Sequence, residues 1–86
     1  MRALFVGGPI DNSELDIDAD APPTHYPPDT GGGQPRYRLR QIGRKGDEIA
    51  YAVYGAPESA DDEVAAVAEE RSYARRFEAE AEPVTG

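Results

Sequence analysis

The chain has no cysteine and no tryptophan, and only one methionine and one histidine. Without thiols there is no disulfide, no thiolate zinc centre and no cysteine nucleophile, so a chain this short has no covalent or soft-metal staple. The redox compartment stays open. Long apolar runs are missing as well: the longest, Ala3 to Val6 and Ile49 to Val53, fall far short of the roughly 20 residues that cross a bilayer. Nothing near Met1 reads as a cleavable signal. The expectation is a soluble protein with no membrane partner.

Positive charge is scarce. Nine Lys+Arg stand against seventeen Asp+Glu, a formal net charge of −8, so the surface as a whole repels phosphate backbones and anionic lipid. Hydrophobic residues make up 38% of the chain, against roughly 45–50% in ordinary domains. With 86 residues there is room for one core, and a thin one. Help from a partner or from self-association is therefore expected.

What is present reads as a small α+β domain over residues 1–81. Met1 to Val6 forms a first strand, ended by Gly7-Gly8-Pro9. Glu14 to Asp18 alternates strictly, with Leu15 and Ile17 on one face and three carboxylates on the other. Residues 19–35 form a long irregular arm, stiff in its Pro half and a swivel at Gly31-Gly32-Gly33. Alternation returns at Arg36 to Ile42, with Arg36, Arg38 and Arg40 pointing one way and Tyr37, Leu39 and Gln41 the other. Gly43 to Asp47 is hairpin chemistry, and Glu48 to Tyr54 is the next strand, with Ile49, Tyr51 and Val53 on one face. After Gly55-Ala56-Pro57, Ser59 is an N-cap for a helix from about Ala60 to Glu80, with acids in its first turn. Val64, Val67, Ala68, Ala74 and Phe77 form its apolar stripe, Tyr73 and Phe77 stack, and Arg76 faces Glu80. Residues 82–86 are a C-terminal tail.

Charge is segregated. Residues 10–29 carry six acids and no base, and 36–45 carry five bases and no acid. Laid antiparallel, Glu14/Asp16/Asp18 would oppose Arg40/Arg38/Arg36 and disfavour a register slip. The expected architecture is an antiparallel sheet of about four strands with that ladder outward and the C-terminal helix on the apolar face.

Catalytic and cofactor motifs fail one by one. Asp16, Asp18 and Asp20 have the spacing that opens a calcium loop, but Ala21 and Pro27 stand where that loop needs Gly and Glu. No metal site is expected. Gly31-Gly32-Gly33 lacks the preceding strand and following helix of a phosphate loop. His25 is the sole imidazole, and Ser13, Ser59 and Ser72 are explained by turn, cap and helix surface, so no nucleophile–base set forms. Neither enzymatic activity nor a cofactor is expected. His25, Tyr26, Pro27 and Pro28 read as a stiff contact element, although a passive exposed loop fits them equally. Arg36, Tyr37, Arg38 and Arg40 could grip a nucleic-acid backbone, but the acidic balance favours pairing within the chain or with a partner protein. These eight residues are the candidate partner-binding set. The acidic helix is read as a solvated face. Imitation of nucleic acid is a minor alternative, because Arg71, Arg75 and Arg76 interrupt its anionic stripe.

Met1 to Asp11, MRALFVGGPID, resembles the opening of many short proteins of tailed bacteriophages and prophages, especially of actinobacteria, in which a strand runs into a Gly-Gly-Pro-x-Asp-Gly turn. Asn12 stands here where Gly is usual, and Asn also tolerates positive φ. Tyr37 to Arg40 and Tyr51 to Tyr54 resemble those proteins' later Tyr-containing strands. The resemblance implies a phage source and a small accessory role, with no catalytic residues to carry over. The leading expectation is a non-enzymatic virion protein, made in the host cytoplasm: a minor structural, capsid decoration or head/tail connector protein. Its expected partners are other phage structural proteins or further copies of itself. The alternative is an early accessory or anti-defence protein that binds a host protein or sequesters a small ligand. Nucleic-acid binding through the arginine strand is a third, weaker reading.

Overall fold

The computed structural model describes residues 1–26 and 36–84. Along the chain come β1 (Arg2–Val6), β2 (Glu14–Asp16), β3 (His25–Tyr26), β4 (Tyr37–Lys45), β5 (Glu48–Gly55), α1 (Asp61–Glu70), α2 (Tyr73–Arg76) and β6 (Glu80–Pro83). All six strands join one sheet in the order β2-β1-β5-β4-β3, with β6 also on β4. A small mixed fold of one sheet and few helices matches the expected class. Its details depart from the expectation in strand number, strand direction and helix length.

The sheet is mixed rather than antiparallel, because β1 and β5 lie parallel from Arg2 opposite Tyr51 to Val6 opposite Gly55. Both strands are apolar on both faces, and both are buried over most of their length. Such strands belong at the centre of a sheet clad on two sides.

The expected ladder of Glu14/Asp16/Asp18 against Arg40/Arg38/Arg36 does not form. β2 folds back on β1, with Arg2 opposite Asp16 and Leu4 opposite Glu14, and β1 and β5 separate it from β4. The local connection wins: the turn uses positive φ at Gly7, Gly8 and Asn12, and the Gly7 N–H donates to Asp11 Oδ1 at 2.7 Å. Arg2 then supplies the base, 3.3 Å from Asp16 and 3.8 Å from Glu14.

The β4–β5 hairpin forms as expected and closes more tightly, with Lys45 opposite Glu48. Two bulges break its alternation. Pairing jumps between Leu39 and Gln41, so Arg40 is the extra residue; it jumps again between Gly43 and Arg44, so Ala50 is the extra residue on β5. A bulge reverses the phase of everything beyond it. Gln41 therefore joins the arginine side, and Ile42 joins Tyr37 and Leu39 in one core cluster. For the same reason Ile49 packs with that cluster and not with Tyr51 and Val53.

Each face has its own core. One face buries Leu4, Val6, Tyr51 and Val53 against Val64, Ala68 and Tyr73 of the helices. Gly43 lies directly beneath the Tyr51 ring, where a Cβ would collide with it. The other face buries Phe5, Tyr37, Leu39 and Tyr54, with Ile17 and Tyr26 packed on them. The cover there includes the first part of the arm, through Tyr26.

The expected helix over 60–80 stops at Glu70. Its last turn holds no base to offset the dipole's negative end. Ser72 enters the left-handed region at φ 58 and Glu78 does so at φ 52. Between those two reversals α2 brings Tyr73 and Phe77 to within 6.2 and 5.3 Å of the Tyr51 ring. Ala60 is the N-cap, and no side chain caps the helix; Ser59 instead sits in a turn, its N–H bonded to Ala56 O. Arg76 reaches Glu14 and not Glu80. The presumed tail begins inside β6, where Glu82 and Pro83 pair with β4 and Val84 N–H donates to Arg40 O.

Candidate functional site

The structure brings part of the expected contact set together at one end of β4. His25 lies opposite Arg38 and Tyr26 opposite Tyr37. Pro27 and Pro28 lie outside the described residues, as do Gly31, Gly32 and Gly33. Arg36 precedes β4, is half-buried and makes contacts of its own.

Most of these side chains serve the fold. The Tyr26 ring lies 5.3 Å from Phe5 and 6.1 Å from Tyr54, within the core and not as a free anchor. Tyr37 Oη donates to Gly7 O at 2.7 Å and accepts the Ile10 N–H at 3.1 Å, which ties the first turn to β4. Arg40 is 5% exposed. Its guanidinium donates to Asp61 Oδ1 at 2.7 Å and to Ala56 O at 2.9 Å. Arg38 reaches the same Asp61 oxygen at 3.1 Å. Asp61, at the start of α1, is thus the carboxylate that two strand arginines share. The acids after Ser59 were visible in the sequence, but nothing there set them beside β4.

Other bases are held the same way. Arg71 grips Asp11 with two bonds of 2.9 Å. The Gly7 N–H and then Arg71 hold the Asp11 carboxyl below its ordinary range. Arg76 bonds both Glu14 oxygens at 3.1–3.2 Å, and Arg44 pairs with Glu82. Among the described residues, carboxylates without such a partner face solvent, Asp18 and Asp20 beyond β2 among them. Among the described residues no group of three or more His, Asp or Glu side chains is placed to hold a metal.

Two features stand apart from these internal contacts. The first is the outer side of β2. Met1 and Ile17 exchange both backbone bonds, at 2.8 and 2.9 Å. In an antiparallel ladder such pairs alternate with non-bonded ones. Ala3–Leu15 is therefore the next bonded pair, and Glu14 and Asp16 turn their N–H and C=O groups away from β1. All three β2 residues are exposed, Leu15 at 39%. The second is a cleft of about 350 Å³ between α1, α2 and the sheet, lined by Gln41, Tyr51, Ala68, Ser72, Ala74 and Ala81 among others. On its floor Tyr51 Oη donates to Gln41 Oε1 at 3.3 Å, and burial pushes the Tyr51 hydroxyl pKa up. Neither feature was legible in the sequence, since each depends on which strands become neighbours.

Among the described residues no helix is long and apolar enough to cross a membrane. No family model, curated protein or solved structure matches the chain.

Proposed function

We propose that the chain is a non-enzymatic component of a phage particle, a minor structural, decoration or connector protein that works by protein–protein contact. The observation that carries this reading is the engagement of its arginines by its own carboxylates. Arg2, Arg38, Arg40, Arg44, Arg71 and Arg76 all have acidic partners within 4 Å. The strand that looked suited to a polyanion therefore has its arginines engaged by acids of the same chain. The charge left facing solvent is acidic and complements a basic protein surface. The MRALFVGGPID opening supports the phage source. Mass spectrometry of purified particles of the encoding phage tests the proposal: the chain is expected in many copies, and its complete absence rejects it.

The cleft over Tyr51 favours a second reading, an early accessory protein that sequesters a small ligand, since about 300–1,000 Å³ is the usual size of such sites. Under that reading the chain is expressed early in infection, is absent from particles, and carries a co-purifying small molecule released on denaturation.

A further inference from the structure

We infer that the open edge of β2 accepts an added β-strand from a basic, extended segment of another protein. The inference rests on the contact reading above and names the partner's chemistry. Glu14 and Asp16 present two N–H donors and two C=O acceptors outward, and no other described strand pairs with β2. Strand addition uses such groups for affinity and the alternating side chains for selectivity.

The two edges of the sheet are not equivalent. Along β4, the outer edge is covered by β3 and β6, and Pro83 ends β6. Proline at an edge blocks further pairing. Residues 10–21 contain no proline, so nothing of that kind guards β2.

Charge selects the occupant. Arg2 reaches Asp16 at 3.3 Å yet leaves that side chain 81% exposed, the exposed acids Asp18 and Asp20 follow, and residues 10–29 contain no base. A second copy added antiparallel about Leu15 would set Glu14 against Asp16, a destabilising like-charge pair. The chain's own segment 27–35 has no base either, and the described residues that flank it, Tyr26 and Arg36, are at the opposite edge. A partner strand that alternates Lys or Arg with apolar residues satisfies both sides: its bases meet Asp16 and the acids beyond, and its apolar residues cover Leu15, which lies with Ala3 on the Phe5 side of the sheet.

Titrating the isotope-labelled full chain with a blocked peptide of alternating lysine and valine, and with its glutamate–valine counterpart, tests this by NMR. The lysine peptide is expected to shift the Glu14 and Asp16 amides and slow their hydrogen exchange, and the glutamate peptide to leave them unchanged. Asp16→Pro removes an outward N–H without touching the β1 ladder and is expected to weaken binding about tenfold. The Asp16→Lys/Asp18→Lys double variant, which keeps every backbone donor, is expected to lose the lysine peptide and gives the same reading should the proline variant not fold. Shifts confined to other regions, equal binding of both peptides, or undiminished affinity in the variants overturn the inference. So does a concentration-dependent dimer abolished by Asp16→Pro, which would assign the edge to a second copy. Particle composition is measured separately: the chain present in particles without strand addition defeats this inference alone, and strand addition by a chain absent from particles defeats only the virion reading.

Discussion

The two faces of the sheet are covered by different kinds of structure. On one, α1 and α2 lie over Tyr51, Val53 and Leu4. On the other, residues 17–26 lie over Phe5, Tyr37 and Tyr54 with little regular structure, only the two residues of β3. Each face hides a tyrosine of β5 completely, and each of those hydroxyls finds a partner: Tyr51 uses the Gln41 side chain and Tyr54 uses Pro23 O at 2.7 Å. An irregular segment thus seals a core as fully as a helix when it brings an aromatic ring and a carbonyl to the right places. The stiffness of its prolines lowers the entropy lost in doing so.

Truncation on either side gives the largest expected effects. Tyr51→Ala under the helices and Phe5→Ala under the arm should each cost about 3–5 kcal/mol, measured as the loss in unfolding free energy by urea titration. Comparable losses support the equivalence of the two covers. A Phe5→Ala loss below about 1 kcal/mol would mean that the arm-clad core is loosely filled.

Tyr26→Ala is the sharper test of the arm. Its ring is half-buried against Phe5 and Tyr54, so the expected cost is about 2 kcal/mol, with faster amide exchange confined to Phe5, Leu39 and Tyr54. Unchanged stability would break the comparison outright.

The alkaline response separates the faces by a smaller margin. Burial, and next the nearby Tyr26, push the Tyr54 hydroxyl up to about 12 from its ordinary 10.0. Below pH 10 both folded and unfolded chains hold the proton and the contribution is fully present. As pH rises from 10 through 12 the unfolded chain ionises first, and stability falls. The urea midpoint is therefore expected to drop between pH 10 and 12, and Tyr54→Phe to remove most of that drop. Tyr51→Phe should remove less, because the Tyr51 shift is the smaller one.

The smallest expected effect lies at neither face but in the turn that joins β1 to β2. The Asp11 carboxyl is lowered by the Gly7 N–H and Arg71, so its contribution is present above the ordinary carboxylate range and is lost as pH falls through its lowered value. Asp11→Asn should flatten the acid limb of the stability profile while leaving the neutral value within about 1 kcal/mol. An unchanged acid limb would show that the Arg71 pair does not form in solution.

Local pattern made several elements readable before any contact was known. β1, the β4–β5 hairpin, the Gly7-Gly8 turn, the acidic start of α1 and the placement of Leu15 and Ile17 on one side of β2 each follow from spacing within a few residues, because period, turn chemistry and charge near a helix end act over that distance. Pairing between distant segments is different. Complementary charge in β2 and β4 suggested that they were neighbours, yet a short turn and the insertion of β5 beside β1 placed them at separate positions in the sheet. Asp61 became the partner of Arg38 and Arg40 only through that arrangement. The bulges at Arg40 and Ala50, the reversal at Ser72 and the docking of the arm are likewise set by how side chains of remote segments fill a common space, which no run of neighbouring residues encodes.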